Sequence, residues 1–182
     1  MTKKTKSDQE KSPKTVTSPI VSSIHLATEG GLELSEFEYG LIVVFNAFSR
    51  WMTRCMSAVG HQDFNPLDIL VLHNVNHRDK AKKLIDIAFV LNIEDLHTIN
   101  YSLKKLMKAD LVESEKRGKE MFYSTTDEGE NICNEYKKIR DLCLLDPVLA
   151  TDQDLADLSR IGKVLRGTSG LYDQASRAAA SL

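Results

Sequence analysis

Apolar and polar positions between Asn65 and Gly129 follow a fixed order: three short helical stripes, two apolar clusters around a charged stretch, then a new helical stripe. Leu67, Leu70, Val71 and Val75 recur at helical steps behind Asn65-Pro66. That pair suits a helix start, because proline has no N–H to lose at the first helical position. Asn76 to Asp79 is a polar connection. Leu84, Ile87, Ala88 and Leu91 mark a second, short helix, and Asn92-Ile93 makes the turn after it, since Asn tolerates a left-handed backbone. The third helix is expected from about Asp95 to Ala109. Its inward face is Leu96, Ile99, Leu103, Leu106 and Met107; its outward face is His97, Thr98, Asn100, Tyr101, Lys104, Lys105 and Lys108. Leu111-Val112 and Met121 to Thr125 read as two strands, with Gly118 where a hairpin turn falls.

Longer stripes flank this block. Ser35 and Glu38, at capping-box spacing, open a helix carrying Phe37, Leu41, Val44, Phe48, Trp51, Met52, Cys55 and Val59, and Gly60 closes it. A helix from Thr126-Asp127 carries Ile132, Cys133, Tyr136, Ile139, Leu142 and Cys143 and breaks at Pro147. A last one, from Thr151 or Asp152, carries Leu155, Leu158, Ile161, Val164 and Leu165 and loses definition at Gly167. These outer stripes are too apolar to be left in water, so the N- and C-terminal thirds are expected to form the contact layer of a homodimer. Residues 1–22 are rich in Lys, Ser, Thr and Pro and are expected to be a disordered basic tail. The expected organisation is thus a tail (1–22), an N-terminal segment with a dimerisation helix (23–60), a winged helix-turn-helix domain (61–129) and C-terminal dimerisation helices (130–182). The fold class is mainly α with a small β-wing.

A helix, turn, helix and two-stranded wing is a shape that docks on a nucleic-acid groove. The segment Leu96 to Val112, the support helix Lys83 to Ala88 and the wing exit Thr125-Thr126-Asp127-Glu128-Gly129 together resemble the MarR family of winged-helix transcription regulators. The likeness in helix order covers roughly Ser35 to Arg166. Two departures are specific to this chain. Asp110 stands where the family usually places Gly, and the wing tip is Lys116-Arg117-Gly118-Lys119, flanked by Glu113, Glu115 and Glu120. The resemblance implies binding to double-stranded DNA as a homodimer on a pseudo-palindromic operator. It also implies a small aromatic effector held between the winged domain and the dimer helices. Phe45, Phe48 and Trp51 are candidates to line such a pocket, although core or interface is their plainer role.

Within that frame, Thr98, Asn100 and Tyr101 occupy positions that would enter a major groove, where Asn can pair bidentately with adenine and Thr can meet a thymine methyl. His97 lies nearer the helix start, within reach of phosphate or a base. Lys104 and Lys105 suit phosphate. Lys116, Arg117 and Lys119 suit backbone or minor groove.

Charge complicates the picture. The net charge is −2, and residues 81–126 hold eight basic side chains against seven acidic ones. Affinity for phosphate must then come from local placement and from two copies acting together. The same near-neutral face fits an alternative, a winged-helix protein-interaction module that no longer binds DNA.

No apolar run approaches the roughly 18 residues of a membrane span, and no secretory h-region follows the N-terminal lysines. Cys55, Cys133 and Cys143 are odd in number and lack C-x-x-C spacing, which suits a reducing cytoplasm. Cys133 and Cys143 fit an apolar stripe as buried thiols. His73 and His77 are one helical turn apart, but no further ligand is fixed by spacing, so no metal is expected. With no nucleophile motif and no Gly-rich phosphate loop, the chain is not expected to be an enzyme or to hold a cofactor.

Overall fold

Seven α-helices and one two-stranded antiparallel sheet make up the described residues, 31–151 and 155–182, of this computed structural model. The expected basic tail, residues 1–22, and the first part of the 23–60 segment lie outside them. The chain divides into two compact units, one ending at Arg50 and one from Trp51 to Leu182.

Helix α1 runs Leu32–Ala58. It starts earlier than the capping-box spacing suggests. The Ser35 N–H already donates to Gly31 O at 3.1 Å, so Ser35 is inside the first turn and does not cap it. Before Arg50, Ile42, Val43, Val44, Phe45 and Phe48 are exposed. After it, Met52, Cys55 and Met56 are buried in the core of the second unit.

Helix α2 (Pro66–Asn76) opens with a reciprocal capping box. Asn65 Oδ1 accepts the Asp68 N–H at 2.9 Å, and Asp68 Oδ2 accepts the Asn65 N–H at 3.0 Å. The polar connection is a 3-10 turn, His77–Asp79, with Arg78 at φ 67°. Lys82 then does something its local sequence does not announce. Its N–H and C=O exchange hydrogen bonds with Tyr123, both at 2.8 Å. Its ammonium donates to Val75 O (3.0 Å), His77 O (2.6 Å) and Asn74 O, satisfying carbonyls left open at the end of α2.

Helix α3 (Leu84–Leu91) ends at Asn92 in the left-handed region, φ 52°, as expected of that turn. Helix α4 (Leu96–Lys108) starts at Asp95, whose carboxylate accepts the His97 N–H at 2.9 Å. It ends in a Schellman motif: Asp110 N–H donates to Met107 O and Leu111 N–H to Leu106 O, both at 3.0 Å. Asp110 takes the left-handed position itself, at φ 58°. Ile69, Leu72, Ile87, Ile99, Leu103, Leu106 and Leu111 are fully buried where these helices meet.

Strands β1 (Val112–Arg117) and β2 (Glu120–Thr125) pair in register from Val112↔Thr125 to Arg117↔Glu120. The loop is therefore two residues, with Gly118 at φ 66° as a type II′ hairpin favours. Strand β1 is longer than its apolar start suggests, because residues 113–117 are exposed and show no buried face.

Helix α5 (Asp127–Arg140) is capped by Thr126, whose Oγ1 accepts the Gly129 N–H at 3.0 Å and donates to Asp110 O at 2.6 Å. One π-helical turn (Asp141–Leu145) and helix α6 (Asp146–Leu149) follow. Pro147 therefore does not break the run as expected; it stands in the first turn of α6, where its missing N–H costs nothing. The π turn shifts the phase of the stripe, so Leu142 and Cys143 are exposed while Cys133 is buried. Helix α7 (Leu155–Ala179) passes Gly167 without stopping and buries no residue. Its alanine-rich end favours helix over the expected irregular finish.

Candidate nucleic-acid interface

Helix α4 buries Ile99, Ser102, Leu103 and Leu106 and exposes His97, Thr98, Tyr101, Lys104 and Lys108, with Asn100 half-buried at the margin. The Thr98 hydroxyl donates to Asp95 O at 2.7 Å, which leaves its lone pairs and methyl group to an incoming partner. Tyr101 has 67% of its surface exposed.

Lys105 does not join that row. Its ammonium lies 2.7 Å from Asp68 Oδ2 and 2.5 Å from Asp63 O, above the Phe64 ring at 5.3 Å. Asp68 is fully buried, and its other oxygen accepts the Ser102 hydroxyl at 2.7 Å. A carboxylate removed from water needs a cation and hydrogen bonds, and α4 supplies both from residues three apart. Lys105 is thus a fastening between α4 and the start of α2, where the outward pattern placed it at phosphate. The signal in the sequence was Asp68 itself, an acid on the inward face of an apolar helix.

At the wing, the Arg117 guanidinium is held by Glu115 (Nη2 to Oε2, 2.6 Å; Nε to Oε2, 2.7 Å) and lies 5.0 Å over Phe122. Lys83 reaches the same ring at 5.6 Å while pairing with Glu120 at 2.7 Å. Phe122 therefore sits beneath two cations, each neutralised by a glutamate. Lys116 and Lys119 are exposed and make no ion pair among the described residues, as is true of Lys104 and Lys108. Of the eight basic residues between 81 and 126, Lys82, Lys83, Lys105 and Arg117 hold protein groups, leaving Lys104, Lys108, Lys116 and Lys119 open to phosphate.

Among the described residues no group of three or more His, Cys, Asp or Glu stands close enough to hold a metal ion. His73 packs edge-on against Tyr136 at 4.5 Å, and burial holds its imidazole below the ordinary value of 6.5. Burial, with help from Glu130, pushes the Cys133 thiol up to about 12. Burial and nearby Cys143 raise Cys55, whose thiol donates to Tyr136 O. Neither buried sulfur is a nucleophile at neutral pH. Among the described residues no helix is long and apolar enough to cross a membrane.

Residues 64–129 match the family described as "Winged helix DNA-binding domain". No curated protein matches the chain in sequence. Solved structures share its fold at low identity. Staphylococcus aureus MarR, in complex with salicylate and kanamycin, is 14% identical at a TM-score of 0.61, covering 85% of this chain and 99% of that one. A mutant E. coli MarR complexed with operator DNA is 15% identical at a TM-score of 0.62, covering 78% and 99%. Streptococcus pneumoniae FabT, in complex with DNA, is 12% identical at a TM-score of 0.60, covering 78% and 99%.

Proposed function

We infer, from its standing as a MarR-like winged-helix protein, that the chain is a DNA-binding transcription regulator working as a homodimer and has no enzymatic role. The observation that carries this reading is the exposed row His97, Thr98, Tyr101 and Lys104 on a helix whose other face is buried, followed directly by a hairpin tipped with Lys116 and Lys119. Recognition helices of this kind read base edges, and a cationic tip meets backbone. Asn100 and Tyr101 would carry sequence discrimination. His97, Lys104, Lys108, Lys116 and Lys119 would carry affinity, with Arg117 stiffening the wing through Phe122. The structurally similar E. coli and S. pneumoniae proteins are complexed with DNA, which supports DNA as the partner.

Two copies are supported by the exposed apolar side chains of α1 (Ile42, Val43, Phe45, Phe48) and by Leu155, Leu158, Ile161 and Val164 of α7. A two-fold dimer would read a pseudo-palindromic operator, and the same reading assigns the chain to the cytoplasm, where such DNA lies. Control by a small aromatic ligand belongs to the same reading, and the salicylate complex of the S. aureus relative supports it.

The balance of charge favours one alternative. Four committed cations and the nearby Glu94, Asp95, Glu113 and Glu115 would suit a fold kept for holding a protein partner. Paired substitutions separate the two. Lys119→Ala with Lys116→Ala should weaken every duplex about equally, whereas Tyr101→Ala should change the ranking of duplexes. Insensitivity to both sets would favour the alternative.

A further inference from the structure

Helix α3 is apolar nearly all round: Asp86 is the one polar residue between Leu84 and Leu91. A helix of that composition is normally covered on every side. Here Ile87 and Ala88 are buried, but Ile85, Val90 and Phe89 stand 55%, 66% and 85% exposed. Leu96, the first residue of α4, is also exposed. Between them lies an open cleft of about 400 Å³, lined by Ile85, Ala88, Phe89, Ile93 and Leu96 with Glu94 at its edge.

We propose that this elbow of the helix-turn-helix docks a protein segment whose apolar side chains are flanked by Lys or Arg. Charge selects the occupant. Glu94 lines the cleft and no Lys or Arg lines it. Asp86 and Asp95, next in sequence to the lining residues Ile85 and Leu96, are exposed. Lys83, the preceding cation, is held by Glu120, with Asp86 near enough to favour its charge further. Nucleic acid is disfavoured, because phosphates would meet carboxylates and the apolar groups would meet no phosphate. A second copy presenting the same patch is disfavoured too, since an isologous contact would set acid against acid. A helix bearing apolar anchors one turn apart, with basic neighbours, satisfies both the cleft and its rim. This site is independent of whether α4 contacts DNA.

The test uses the full chain and two fluorescein-labelled helical peptides, one with a leucine stripe flanked by lysines and its twin with glutamate for each lysine. Anisotropy should show the lysine peptide binding at least about tenfold more tightly than its twin, and Phe89→Ser should weaken it by about tenfold or more. Glu94→Lys combined with Asp86→Lys should invert the preference. Circular dichroism of each variant checks that the exposed substitutions leave the fold intact. Equal binding of the two peptides, no binding up to about millimolar concentration, or indifference to Phe89→Ser in the folded variant would overturn the proposal. Loss of a self-association step in Phe89→Ser would also overturn it, because the occupant would then be another copy of this chain.

Discussion

The Lys105 ammonium of α4 lies 2.7 Å from the carboxylate of Asp68, which is fully buried at the start of α2. The contact sets how the outward row of α4 is presented, because it fixes the helix to its support at the turn where Lys104 and Lys108 emerge. Lys105→Met leaves that carboxylate with hydrogen bonds but no counter-charge. The expected loss in urea unfolding is about 2–4 kcal/mol, as for an uncompensated buried charge. A loss below about 0.5 kcal/mol would mean that Lys105 is free in solution and belongs with the lysines proposed to contact phosphate.

Gly129 packs where no side chain fits. A Cβ there would come 1.9 Å from Leu111 O. The approach is fixed by Thr126, which bonds Asp110 O with its hydroxyl and Leu111 O with its N–H. Gly129→Ala must therefore push the wing and α5 apart, and thermal melts should show a cost of at least about 2 kcal/mol. An unchanged midpoint would mean that α5 does not dock on the wing exit this way.

Acid should loosen the fold through His73. Burial disfavours protonation of its imidazole in the folded chain, whereas the unfolded chain takes up a proton near the ordinary value of 6.5. Below that pH the unfolded state binds more protons, so this contribution is complete above about 6.5 and is lost as pH falls. At about pH 5.5 the loss approaches, at most, about 1.4 kcal/mol. Denaturant titrations of His73→Leu should show a shallower decline on the acid side. An identical slope in variant and parent would contradict the assignment.

The three cysteines should divide by location. Cys143 is exposed in the π-helical turn, and Cys55 and Cys133 are buried with raised pKa values. A thiol-reactive dye should label Cys143 rapidly in the folded chain and the other two only after unfolding. Rapid labelling of Cys143→Ser would show that the core around Tyr136 is open.

The order of elements and, Leu96 and Lys105 apart, the two faces of α4 were legible in the sequence, because period and caps are local: Asn65, Asp95 and Thr126 each cap the helix that they appear to announce, whereas Leu96, expected inward, is exposed at the first turn. What escaped depended on distant partners. Lys82 reaches back to the end of α2 and pairs with Tyr123, and no local pattern encodes either contact. Lys105 looked outward until Asp68 was placed beneath it. Strand β1 is held by its register with β2 and by Gly118, so its exposed residues carry no alternation to find. Cys143 left the expected stripe because one π turn moved the phase. The exposed face of α3 was hidden for the opposite reason. Leu84, Ile87, Ala88 and Leu91 already complete an inward set, and nothing local shows that Ile85, Phe89 and Val90 lie uncovered.

On the proposed function, the outward face of α4 and the wing tip meet the phosphates and bases of double-stranded DNA. The most direct measurement is the affinity of the full chain for mixed-sequence duplex as salt is raised from about 50 to 200 mM. With Lys104, Lys108, Lys116 and Lys119 on each copy of the proposed dimer, the logarithm of the binding constant should fall steeply and linearly with log salt, by about 0.9 per phosphate neutralised. The slope should flatten when Lys116 and Lys119 are replaced by Ala. No binding even at about 50 mM salt, or a slope near zero, would contradict the claim.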